Sequence, residues 1–152
     1  MDFTEILGRQ DHEPCVDIVT VHGLHRAGKE PWQDTEARPK WLRKDLFEKV
    51  DIRVIIFNYE EELDNGLTIY TKQGSILVAQ RLIDSLMSWR HSNNESCRPL
   101  AFISHDIGGM IVKQSLLLAL KQYEKYKSIL QSLYAMIFIN CPHRPDILSW
   151  YF

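Results

Sequence analysis

The sequence predicts an α/β protein, a three-layer sandwich with a central parallel sheet and helices on both faces. Two observations carry that prediction. Four short runs are apolar on nearly every residue: Val16–Val21, Arg53–Tyr59, Pro99–Ser104 and Ala135–Asn140. Runs of this kind suit strands buried on both faces of a parallel sheet. Between them lie segments with helical periodicity, giving the order β-α-β-α-β-α-β, which right-handed crossovers wind into one sheet. At 152 residues the chain has material for one core.

The elements follow in order. Residues 1–14 are polar and read as a loose N-terminal lead-in, with a single domain over 15–152. The first run stops at His22-Gly23-Leu24, and residues 25–38, rich in charge, Gly and Pro, read as a surface loop. Pro39 suits a helix start, and Trp41, Leu42, Leu46, Phe47 and Val50 recur at helical spacing. After the second run, Ser75 is placed to cap a helix with Ile76, Ala79, Ile83, Leu86 and Met87 on one face. The third run passes directly into Gly108-Gly109 and an apolar helix from Met110 to about Tyr123. A short amphipathic segment around 129–133 precedes the fourth run, and the chain closes on Cys141-Pro142-His143-Arg144-Pro145 and the aromatic tail Trp150-Tyr151-Phe152.

Composition excludes several classes. Lys plus Arg number 18 against 20 Asp plus Glu, so no basic stripe offers itself to nucleic acid. No run of about 18 apolar residues is present to span a membrane, and the N-terminus lacks the basic start and apolar run of a secretory signal. Cys15, Cys97 and Cys141 are odd in number and show no CxxC spacing, which points to reduced thiols in the cytoplasm. Gly23 to Lys29 fits GxxxxGK, but Glu30 would repel phosphate and Pro31 removes an amide that a phosphate cradle needs, so no nucleotide cofactor is expected. His22 and His25 lack a downstream ligand at metal spacing, so no metal is expected either.

In open parallel sheets, ligands bind beyond the carboxyl ends of the strands. Those ends carry His22-Gly23-Leu24, Tyr59-Glu60, His105-Asp106-Ile107 and Cys141-Pro142-His143. The third is the most informative. Ser104 to Gly109 joins a strand to a helix without a loop, the geometry of a nucleophile elbow, which lifts the side chain at the turn above the sheet. Gly108 and Gly109 allow the helix to pack close, and its N-terminal amides, that of Ile107 first, can stabilise an oxyanion.

Here the chain resembles the lipase-like α/β-hydrolase domain, in the version found at the front of fungal proteins that carry NACHT modules and ankyrin or WD repeats. The matching blocks are Val21-His22-Gly23-Leu24, Ser104-His105-Asp106-Ile107-Gly108-Gly109, Ile111-Val112-Lys113-Gln114 and Cys141-Pro142-His143-Arg144-Pro145. The resemblance implies a partial α/β-hydrolase fold with spatial strand order second, first, third, fourth. It also implies oxyanion donors at Leu24 and Ile107, and Asp106 where the family holds its serine. Ser104 replaces the first elbow glycine and Pro145 the last one. By the same resemblance the catalytic acid and histidine fall beyond Phe152, and two early strands are missing.

Two functions follow as expectations. One is a degenerate or partial serine-hydrolase-like domain, non-catalytic alone, with a binding or signalling role. The aromatic tail then packs under a downstream domain or a protein partner. The other is an ester, epoxide or halide hydrolase using Asp106, similar to epoxide hydrolases and haloalkane dehalogenases in its Asp at the elbow. A carboxylate attacks without a base, but release of the ester needs one, and His143 is the candidate within the chain.

Overall fold

A computed structural model describes residues 3–7, 13–23, 51–63, 66–92 and 97–143. Leu24, the loop over 25–38, the helix expected over 39–50 and the aromatic tail lie outside these residues.

Five strands form one sheet: β1 (Phe3–Leu7), β2 (Val16–Val21), β3 (Ile52–Phe57), β4 (Leu100–His105) and β5 (Leu133–Ile139). Their spatial order is β1-β3-β2-β4-β5. The four inner and C-terminal strands run parallel, in the order that the resemblance implies. β1 is a correction. The lead-in expected over 1–14 contributes an edge strand, antiparallel to β3 with Phe3 opposite Phe57. Its mix of polar and apolar residues over five positions concealed it, whereas the inner strands are apolar at most positions.

Three helices are described: α1 (Lys72–Ser92), α2 (Gly108–Lys121) and α3 (Tyr123–Ser132). α1 starts earlier than the sequence suggests, because Thr71 rather than Ser75 caps it: the Gly74 amide donates to Thr71 Oγ1 at 3.0 Å. Val78, Ala79, Leu82, Ile83 and Leu86 of α1 and Ile111, Val112, Leu116 and Ala119 of α2 pack with Val19, Val21, Ile55, Phe57, Leu100 and Phe102 from one face of the sheet. On the other face Ile18, Ile52, Val54, Ile56, Ala101 and Ile103 are buried as well. The chain is therefore an α/β protein with a central parallel four-stranded sheet in the three-layer arrangement. β2, β3 and β4 are buried on both faces. β5 at the edge is exposed at Tyr134, Met136, Ile137 and Ile139, unlike the doubly buried strand that its apolar run predicts. No helix among the described residues is long and apolar enough to cross a membrane.

The two ends of the sheet differ in chemistry. At the strand starts, Asp17 of β2 is fully buried and pairs in register with Arg53 of β3. Its Oδ1 accepts from Arg53 Nη2 at 2.6 Å and Nε at 3.0 Å, and from Arg98 Nη1 at 3.3 Å, while Oδ2 accepts from Arg90 Nη1 at 2.8 Å. Arg53 also stacks 4.4 Å from the Trp89 ring. Three guanidinium groups on one carboxylate tie β2, β3, α1 and the approach to β4 together, far from the carboxyl ends where a ligand would sit.

Candidate functional site

At the carboxyl end of β4 the chain turns into α2 within two residues. Asp106 occupies the turn with φ 52°, in the left-handed region where L side chains are strained and Asp is among the more tolerant. The Asp106 amide donates to Ile139 O at 3.0 Å, which locks the turn to the neighbouring β5, and its carbonyl accepts from the Gly109 amide at 3.1 Å. Strain of this kind persists only where the surroundings over-determine it.

The glycines show how tightly the turn is held. A Cβ on Gly108 would lie 2.5 Å from Val21 O, so only a bare Cα lets α2 sit this close to β2. A Cβ on Gly23 would lie 2.6 Å from Asp106 Cβ and 2.9 Å from His105 Nδ1. The loop after β2 is thus pressed directly against the elbow. Gly109 faces Cys141 in the same way, with 2.5 Å from its would-be Cβ to Sγ.

The end of β2 is held by a residue that follows β3. His22 is buried and stacks on Tyr59, with ring centroids 4.1 Å apart and planes 12° from parallel. The Tyr59 hydroxyl donates to His22 O at 2.5 Å, and His22 Nδ1 lies 2.8 Å from Gly23 O. His22 Nε2 is buried with no hydrogen-bond partner among the described residues. Burial holds the His22 pKa below the ordinary histidine value, against the opposing effects of the Gly23 and Tyr59 backbones and of Glu61.

Acids and phenols gather at these strand ends. Tyr70 donates to Glu61 Oε2 at 2.7 Å. Its pKa is pushed up to about 12 by desolvation, then by the Glu61 bond and charge, and last by the field of Asp106. The Tyr59 pKa is raised by burial first and then by Asp106 and Glu61, so both phenols stay protonated and can only donate or accept hydrogen bonds near neutral pH. Tyr59 is marked in the sequence by its place at a strand end. Glu61 and Tyr70 are not, because the bridge between Glu62 and Thr68 that brings their segments together is a tertiary contact without a periodic signal.

The sequence-nominated residues are distributed as follows. Asp106, Ile107, Gly108 and Gly109 form the elbow itself, and Ile107 is buried at the mouth of α2. His143 stands past the end of β5, exposed, edge-on to Phe138 at 5.3 Å between centroids. Its Nδ1 is 3.0 Å from Lys113 Nζ. An ammonium only donates, so Nδ1 accepts and the proton of the neutral ring sits on Nε2. Among the described residues no group of three or more His, Cys, Asp and Glu side chains is placed to hold a metal.

A parallel sheet, a left-handed pivot between strand and helix, and His22-Gly23 at the end of the neighbouring strand packed against it define a hydrolase-like α/β domain. Comparison with known proteins narrows this. Residues 16–143 match the family described as "Putative serine esterase (DUF676)", and the chain belongs to that family. It is similar to Protein SERAC1 of Mus musculus, 25% identical over 154 residues, covering 89% of this chain and 23% of the relative. It is also similar to Protein SERAC1 of Bos taurus, 26% identical over 155 residues with the same coverage. The chain thus spans under a quarter of the length of these relatives.

Proposed function

We propose that this chain is a serine-hydrolase-like domain in which the elbow persists as scaffold while serine chemistry is lost, and that it serves a binding or signalling role. One observation carries the reading: the residue at the left-handed pivot is Asp106, a carboxylate, where serine-esterase chemistry needs a hydroxyl. A negative side chain at a helix N-terminus is electrostatically favourable, so the turn tolerates the change without unfolding. It also sets a negative charge where an oxyanion would develop, which works against acyl transfer. The engagement of His143 Nδ1 by Lys113 supports the same reading, since a base needs that lone pair or a partner to orient it. The unpaired Cys15, Cys97 and Cys141 support a cytoplasmic module. On this reading it stands at the front of a longer protein of the NACHT and repeat type.

A second reading is a hydrolase that uses Asp106 as nucleophile, with its remaining catalytic residues supplied outside this chain. The place of Asp106 at the left-handed pivot favours it, since a carboxylate there attacks without a base in the first step. Hydrolysis of nitrophenyl esters and of an aryl epoxide by the chain and by a longer chain that restores the later strands, each beside Asp106→Asn and Asp106→Ser, separates the two. No turnover by the longer chain overturns the second. The first reading expects background rates from the unchanged chain and from Asp106→Asn. Turnover that depends on Asp106 overturns it in favour of the second. Ester hydrolysis gained by Asp106→Ser would support intact donors at Ile107 and Leu24.

A further inference from the structure

Beside the elbow a cleft of about 420 Å³ opens between the start of α1 and the outer side of α2. That volume lies within the range of small-ligand pockets, roughly 300–1,000 Å³. Its walls are Ile76, Ile107, Met110, Ile111 and Leu117, and its rim carries Lys72, Lys113 and His143, with no Asp or Glu among the described residues that line it.

The charge at the rim is one-sided. Lys113 spends two of its donors on neutral acceptors, Pro142 O at 3.0 Å and His143 Nδ1 at 3.0 Å. Its ammonium also lies 4.9 Å from the centre of the Phe138 ring. These contacts orient the group without cancelling its charge, and a third N–H is left over. Because His143 accepts from Lys113, its Nε2 carries a hydrogen and becomes a second donor. Lys72 occupies the first turn of α1, where a cation adds to the positive end of the helix instead of offsetting it. Neither α1 nor α2 has an acidic residue in its first turn to balance these charges.

Apolar walls under a rim of cations and N–H donors match one kind of ligand. We infer that the cleft binds a single-chain amphipathic carboxylate, its chain along Met110, Ile111 and Leu117 and its headgroup between Lys72 and Lys113. A cationic headgroup would be repelled by the lysines, a zwitterionic one would bring its own cation among them, and an alcohol would forgo the charge-assisted bonds. The inference concerns binding alone and holds whether or not Asp106 reacts.

The test is calorimetric titration of the full chain with decanoate below its micelle concentration, beside decanol and decyltrimethylammonium. Decanoate binds, and the other two bind at least about tenfold more weakly, as expected for loss of a charge-assisted pair. Lys113→Met and Lys72→Met each weaken decanoate about tenfold and leave decanol unchanged. Leu117 is half exposed at 52%, so Leu117→Asp blocks the chain without disturbing the core, and circular dichroism verifies that it folds. Equal binding of decanol and decanoate, decanoate affinity unchanged by both lysine variants, or no decanoate binding would overturn the inference. So would binding to phosphatidylglycerol vesicles without binding to monomeric decanoate. Since turnover is not read, failure here leaves the reading of the elbow untouched.

Discussion

Replacing Asp106 by Gly and by Ala probes the elbow through backbone conformation. Both variants remove the carboxylate, so their difference reports the turn and not the charge. At φ 52° an alanine Cβ crowds the following carbonyl, at a cost of about 1–2 kcal/mol. Glycine avoids that cost but loses more entropy on folding, about 0.5–1 kcal/mol relative to alanine. The balance leaves Asp106→Gly more stable than Asp106→Ala by about 1 kcal/mol. For a domain of this size that corresponds to about 3 °C in Tm. Thermal and urea unfolding followed by far-ultraviolet circular dichroism measures both quantities. On ordinary helical or extended backbone the order reverses, because glycine is there the less stable residue. An Asp106→Ala variant equal to or more stable than Asp106→Gly therefore refutes the left-handed pivot.

Other outcomes follow from the same geometry. Asp17→Asn leaves three guanidinium groups around a neutral amide at a buried position and lowers unfolding free energy by about 3–5 kcal/mol in urea titrations. Gly108→Ala forces a methyl group to 2.5 Å from Val21 O, a backbone atom that cannot step aside, and costs about 1–3 kcal/mol in the same assay. His22 has a folded pKa below its ordinary value of 6.5, so the unfolded chain binds its proton more readily. Its contribution is complete above that value and is lost as pH falls below it; Tm measured from pH 7.5 to 5 declines more steeply for the native chain than for His22→Gln. Asp84 is opposed by its partial burial but is held below the ordinary carboxylate pKa by bonds from Lys125, Tyr126 and Gln80. Its stabilisation is present above that ordinary pKa and is lost as pH falls through the lowered one, so Asp84→Asn flattens the Tm profile at acid pH.

Much of this was legible because parallel sheets write themselves plainly. Strands buried on both faces must be apolar at nearly every position, so β2, β3 and β4 stand out as runs. β5 is as apolar in sequence but exposed at Tyr134, Met136, Ile137 and Ile139. The Ser104 to Gly109 block betrays the elbow by having no loop. The edge strand β1 was hidden, since Phe3–Leu7 mixes polar and apolar residues over only five positions. The Asp17–Arg53 pair left a trace that sequence reasoning passed over: each strand carries one charge at its second residue, and parallel register sets those two side by side. Arg90 and Arg98 left none, because their convergence depends on where α1 ends. At the site, Asp106 was found from the turn, whereas Glu61 and Tyr70 join it only through tertiary folding.

The most direct test of whether Asp106 is scaffold or nucleophile is a single-turnover incubation of a longer chain that restores the later strands, in excess over an aryl epoxide, in oxygen-18 water. A carboxylate nucleophile passes through a covalent ester, and water attack on that ester leaves heavy oxygen in the side chain. Peptide mass spectrometry across Ser104–Lys113 is expected to show no isotope uptake at Asp106. Heavy oxygen in that carboxylate would contradict the loss of catalysis and establish Asp106 as the attacking group.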